Sequence, residues 1–252
     1  MFPLWLIAGF WGLLSGSALI IGAVIGYYFK IPQRWVAAIM AFGSGVLISA
    51  LSFDLMDEAY KKGGFDSTSI GFISGALIYT LANVILSKAG ARHRKRSGNH
   101  QKLEKEKDNN GTAIAMGALL DGIPEAIVIG VSMIEGGAVS LVAVIAIFLS
   151  NIPEGLSSAA GMKKANRSAR YIFSIWLVIA LISGIASLSG FIIFDHFSAD
   201  VIAATTAVAA GAILAMLSDT MIPEAFAIAH NYAGLITVIG FLCAFLLSKM
   251  AL

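Results

Sequence analysis

The chain has 252 residues, 58% of them hydrophobic and 13% charged, with a net charge of +2. Soluble domains carry nearer a quarter charged residues, so this composition excludes an ordinary soluble enzyme, and nothing in it points to a nucleic-acid partner. A single cysteine, Cys243, excludes an intrachain disulfide and leaves the redox compartment unread.

Taken in order, the apolar runs predict eight spans, at about 3–29, 35–60, 67–90, 112–134, 137–161, 170–194, 200–227 and 231–250. Each is long enough to cross a hydrocarbon core of roughly 30 Å. The first run lacks a basic leader and is too long for the apolar region of a signal peptide, so it reads as a span. The expected fold class is an all-α polytopic membrane protein in one transmembrane domain over residues 1–252, surrounded by membrane lipids. The connections are short except for 91–111, which is polar and predicted to be disordered. That loop holds His93, His100 and the basic cluster Arg92–Arg96, which could meet anionic headgroups. Of 17 Lys and Arg residues, 14 fall after spans 1, 3 and 5, and Lys61, Lys62 and Lys249 lie on the other side. The positive-inside rule then places 91–111 in the cytoplasm and both termini outside, in a plasma (inner) membrane.

Two internal repeats emerge. Gly45-Val-Leu-Ile-Ser-Ala-Leu-Ser52 lies over Gly211-Ala-Ile-Leu-Ala-Met-Leu-Ser218, and at the same offset of 166 (211 − 45) Glu58-Ala-Tyr60 lies over Glu224-Ala-Phe226. Leu120-Asp-Gly-Ile-Pro-Glu-Ala126 lies over Leu149-Ser-Asn-Ile-Pro-Glu-Gly155. The first pair sits on spans of opposite direction and the second on consecutive spans. A 3+2+3 arrangement of inverted repeats follows, with a substrate site expected at the midplane axis.

An ionised side chain at that depth costs several kcal/mol, so it implies a partner or a watery cavity. Asp121 and Glu125 are one helical turn apart, as are Ser150 and Glu154. Facing helices would bring Asp121, Glu125 and Glu154 together with Ser150 and Asn151, and no Lys or Arg stands in spans 4 or 5. A divalent cation or protons must then offset the charge. Pro124 and Pro153 release the carbonyls of Leu120 and Leu149, and those carbonyls or the kinked backbone can face a cavity, a simple kink being the alternative. Farther from the middle, Asp54, Asp57 and Glu58 on span 2 and Asp219, Glu224 and His230 on span 7 are candidate way-stations, or else interfacial charges.

At these residues the chain resembles the ZIP (Zrt/Irt-like) family of metal transporters. Asp121-Gly122-Ile123-Pro124-Glu125-Ala126 corresponds to the family's span-4 motif His-Asn-x-Pro-Glu-Gly, and Ser150-Asn151-Ile152-Pro153-Glu154 to its span-5 motif His-x-x-Pro-Glu. The resemblance implies eight spans, external termini, a homodimer, and transported zinc as substrate with no resident cofactor. It also implies Glu125 and Glu154 as metal ligands, with Asp121 in the place of a histidine. Both motif histidines are absent, Gly122 replaces asparagine, Leu47 stands where some members carry methionine, and Tyr171–Phe194 has no acidic residue. These departures point to a single oxygen-rich site, which suits manganese or magnesium as well as zinc or iron. A proton- or cation-conducting channel is the nearest alternative. An intramembrane enzyme fits less well, since no histidine lies at the depth of Ser150 and no HExxH occurs.

Overall fold

The computed structural model describes residues 2–88, 110–134 and 138–250, with only the backbone of 110–115. The predicted cytoplasmic loop, with His93, His100 and Arg92–Arg96, lies outside the described residues apart from its last two positions, which belong to a helix.

Every element described is helical. Helix α1 covers Leu4–Tyr28 and α2 covers Gln33–Ala50, which passes through a π turn at Leu51–Leu55 into α3, Met56–Leu86. Then come α4 (Asn110–Val131), α5 (Leu141–Lys164), α6 (Ala169–Phe194) and α7 (Ala199–Met216). A second π turn, Leu217–Met221, leads to the short α8 (Ile222–Ala229), and a 3₁₀ turn at His230–Tyr232 leads to α9 (Ala233–Met250). Among the described residues, five helical stretches are long and apolar enough to cross a membrane: Leu4–Tyr28, Gln33–Leu86, Leu141–Lys164, Ala169–Phe194 and Ala199–Met250. At 1.5 Å per residue, the 54-residue and 52-residue stretches would each run to roughly 80 Å if straight, well beyond one bilayer. Both are interrupted by positive φ, at Gly64 (φ 66°) and at His230 (φ 47°). Past Gly64 the chain doubles back, so that Ala59 and Phe72 pack on the same residues of α7, Ala203 and Ala207. The expected connection 61–66 is therefore helical on either side of one glycine.

The surface exposes many large apolar side chains, and the interior holds, beside hydrophobic clusters, buried polar groups such as Ser44, Ser49, Asp121, Glu125 and Glu154. On α3, Ile70, Ile73, Leu77, Leu81 and Ile85 face outward, while Gly71, Gly75 and Tyr79 are buried. With no water to bind backbone groups in lipid, hydroxyls turn back onto their own helices, as Ser15 does to the Gly12 carbonyl (2.9 Å) and Ser44 to that of Met40 (2.8 Å). Side-chain caps mark the starts of α5 and α6, where Ser140 and Ser168 accept from Ala143 N and Tyr171 N.

Close packing rests on small residues, which let helix backbones approach. The Gly12 and Gly16 pair of α1 meets Ser187, Ser183 and Ala180 of α6, running antiparallel. Gly22 and Gly26 of α1 meet Ile152 and Leu156 of α5, running parallel. Gly122 and Gly130 of α4 lie beside Ser183 and Ser187 of α6, again parallel. Contacts between α3 and α7 advance from Gly71 beside Ala204 to Asn83 beside Asp219, so these two also run the same way. Helix α2 packs on α9 through Gly45 and Gly240.

Candidate functional site

Helices α4 and α5 touch each other less than α4 touches α6 and α5 touches α1. These two helices carry the predicted residues, and they lie in the interior. Asp121 (3% exposed), Glu125 (2%), Ser150, Asn151 and Glu154 (7%) are all buried. No lysine or arginine lies in α4, or in α5 before Lys163. In a bundle with an apolar exterior, carboxylates at this depth are costly unless a cavity or a cation stabilises them.

Local structure fixes where these groups sit. Pro124 and Pro153 lie inside their helices, and each removes one backbone hydrogen bond. The α5 segment around Pro153 is pressed against α1. A Cβ on Gly155 would stand 2.1 Å from the Leu19 carbonyl oxygen, and one on Gly22 would stand 2.1 Å from that of Ile152. The Asn151 amide donates to the Ser15 carbonyl (3.1 Å), which anchors it to α1. The Ser150 hydroxyl donates to the Ile147 carbonyl (2.9 Å). On α4, Asp121 accepts a hydrogen bond from the buried hydroxyl of Tyr79 on α3, at 2.8 Å. Tyr79 is not among the residues expected from sequence, because a tyrosine in an apolar run reads as packing. A Cβ on Gly122 would stand 3.9 Å from the Ser183 hydroxyl of α6, an ordinary contact.

Among the described residues, no group of three or more His, Cys, Asp or Glu side chains is placed together to hold a metal ion. Asp121, Glu125 and Glu154 thus share the interior without forming such a group in this conformation.

The way-station candidates divide. Glu58 pairs with Lys62, and Asp57 with Lys61 at 2.6 Å, both one turn apart on α3. Local pairs of this kind at the end of a span are typically interfacial and contribute little to stability. Asp54 sits in the first π turn and accepts from the Ser248 hydroxyl (2.9 Å) on α9. Asp219 is exposed in the second π turn, with the Asn83 amide 3.4 Å away. His230 is exposed at the end of α8, its ring edge-on to Phe226. Glu224 is buried at 8% exposure. It belongs to a third Ile-Pro-Glu, Ile222-Pro223-Glu224, directly after that π turn. The recurrence of the tripeptide is the sequence signal that would have ranked Glu224 with Glu125 and Glu154.

No protein-family model matches the chain. It is similar to a protein of Arabidopsis thaliana named "Putative zinc transporter", with 26% identity over 218 residues, or 85% of this chain. The chain spans about a third (34%) of that relative's length. The relative's name describes transport and not catalysis.

Proposed function

We propose that the protein is a ZIP-type carrier that moves divalent metal ions, zinc foremost, across a membrane toward the cytoplasm through the interior between α4 and α5. One observation carries this reading: two Pro-Glu carboxylates, Glu125 and Glu154, are buried inside a bundle whose outer surface is apolar. Likeness to a named zinc transporter supports the substrate. Glu125 and Glu154 act as metal ligands, and Asp121, Ser150 and Asn151 complete the site by turns. Because no three carboxylate, histidine or cysteine side chains come together among the described residues, an ion held here takes part of its shell from neutral oxygens. Asp54, Asp219 and Glu224 mark the path on either side.

The eight-span, inverted-repeat architecture is part of the proposal. The two long helical stretches divide at Gly64 and His230, which with α1, α4, α5 and α6 makes eight crossings. The parallel and antiparallel contacts above suit alternating directions. The offset of 166 relates the two π turns, Leu51 to Leu217 and Leu55 to Met221, and it also relates Gly64 to His230, the two breaks at positive φ. The packing partners correspond as well: α2 on α9 with α7 on α3, and α1 on α5 with α6 on α4. A carrier that alternates access about a central site commonly has this build.

Purified protein in liposomes is expected to show saturable zinc uptake, with weaker uptake of manganese and iron. Turnover slow enough to count individual cycles fits a carrier. Proton or monovalent-cation current without divalent uptake would favour the channel alternative and end the metal reading. For orientation, a protease applied to right-side-out vesicles is expected to leave the 91–111 loop uncut, given the 14-to-3 split of basic residues. Rapid cleavage there from outside would invert the topology.

A further inference from the structure

We infer that the hydrogen bond from Tyr79 to Asp121 is a clasp between two sets of helices and stabilises the conformation described here over one in which the sets are displaced; its role in transport rests on the carrier reading above. The sets follow from packing. Each of α1, α4, α5 and α6 packs most heavily on another of these four, and each of α2, α3, α7, α8 and α9 on another of those five. Close backbone approaches bind the members of each set. A Cβ on Gly155 (α5 on α1), Gly130 (α4 on α6), Gly211 (α7 on α3) or Gly240 (α9 on α2) would stand only 1.9–2.1 Å from a facing carbonyl oxygen. Seams of this kind hold helix backbones together in lipid.

The boundary between the sets is built differently. Ordinary apolar side chains meet there, with Leu47 of α2 and Ile213 of α7 in one cluster with Ile129 of α4 and Ile147 of α5. At Gly43 of α2, which faces α5, an added Cβ would meet Ser150 Cα at an ordinary 3.5 Å. Apolar contact is non-directional, so these faces can re-form after a shift at little cost. A hydrogen bond cannot, because it weakens steeply as its length and angle change.

Tyr79 and Asp121 lie on opposite sides of this boundary. The Tyr79 hydroxyl on α3 donates to Asp121 Oδ1 on α4 at 2.8 Å, and both residues are buried. Three other hydrogen bonds between helices each stay within one set. Asn151 to the Ser15 carbonyl joins α5 to α1, Ser187 to the Ala8 carbonyl joins α6 to α1, and Ser248 to Asp54 joins α9 to the π turn after α2. Tyr79 is fixed on its own side, since Gly75 one turn earlier seats α3 against Val208 of α7. Displacing one set against the other therefore stretches or breaks the Tyr79–Asp121 bond, whatever else either residue touches. Asp121 is also a proposed ligand, so the clasp acts at the cargo site itself.

The test is the distance between spin labels across the boundary, on Leu177→Cys of α6 and Leu81→Cys of α3, in a Cys243→Ser protein in liposomes without metal. All three positions are exposed. Tyr79→Phe keeps the ring and removes the donor. Expected is a rise of about tenfold in the ratio of displaced to original distance, equivalent to about 1.4 kcal/mol. A pair inside one set, Leu177→Cys with Leu13→Cys, should not change. The effect of Tyr79→Phe should vanish in an Asp121→Ala background, a cycle that separates this bond from the other contacts of either residue. Ser187→Ala, which removes a bond within one set, should leave the cross-boundary ratio alone. Should Tyr79→Phe not fold, Asp121→Asn, which weakens the acceptor, is expected to shift the ratio the same way. An unchanged ratio, or a Tyr79→Phe shift that persists in the Asp121→Ala background, would overturn the inference and leave Tyr79 a packing residue. Wild-type protein that moves no divalent ion would instead overturn the carrier reading and leave the distance measurement standing.

Discussion

Replacing Glu125 or Glu154 by glutamine is expected to lower divalent-metal uptake by about a hundredfold or more while the protein stays folded. Loss of a partner that merely orients a metal ligand typically costs 10–100-fold, and a ligand itself should cost at least as much. Glutamine keeps the size of the side chain and removes the charge that balances the cation. Folding is spared because both carboxylates are buried in an interior with no lysine or arginine on their own helices nearby, where a charge without a cation costs stability. The thermal midpoint in detergent without metal should therefore stay level or rise, and zinc should no longer raise it, since a ligand stabilises only the state it binds. Two mutants with normal uptake and a normal zinc-dependent shift would remove this pair from the site.

Gly155→Val is expected to have the opposite profile, losing folded protein and uptake together. The added Cβ alone would sit 2.1 Å from the Leu19 carbonyl oxygen and 2.9 Å from the carbonyl carbon. Those are backbone atoms inside a helix and cannot rotate away as a side chain can, so α1 and α5 must separate. Overpacking of this sort costs typically 1–3 kcal/mol, occasionally more. The displaced segment also holds Pro153, Glu154 and the Asn151 anchor to Ser15. Gly234→Ala is the control, since nothing lies within 4 Å of its added Cβ, and it should be neutral. The measurement is the fraction of monodisperse protein after heating in detergent. If Gly155→Val survives as wild type does, the α1–α5 contact is looser than the glycine geometry requires.

Much of this was legible beforehand because lipid imposes a simple code. Helices in a bilayer must satisfy their own backbone, so a run of apolar residues gives an element's type and approximate ends, as Leu4–Tyr28 and Ala169–Phe194 show against expected spans of 3–29 and 170–194. The charged ends were less certain. The loop expected at 61–66 is helix broken at Gly64, because the i,i+4 pairs Lys61–Asp57 and Lys62–Glu58 stabilise helix where charge alone suggested a connection. The Pro-Glu pairs stood out because a carboxylate in an apolar run is expensive and therefore conspicuous. The third pair, at Glu224, was equally visible and lay at the charged end of its span, where a carboxylate draws less notice.

From the sequence alone came the membrane class, the positions of most helices, the repeat offset of 166 and the buried candidates Asp121, Glu125 and Glu154, because each follows from hydrophobicity and spacing along one stretch of chain. Tertiary structure alone decided which helices touch, that α4 and α5 pack mainly on α6 and α1, that Glu58 is paired with Lys62, and that Tyr79 reaches Asp121 from α3. The physical reason is that a lipid-facing and a partner-facing stripe can have the same apolar composition, since lipid tails and leucine side chains are solvents of one kind. Only close backbone approach at small residues, a matter of three-dimensional fit, selects the neighbours and so determines which polar groups meet.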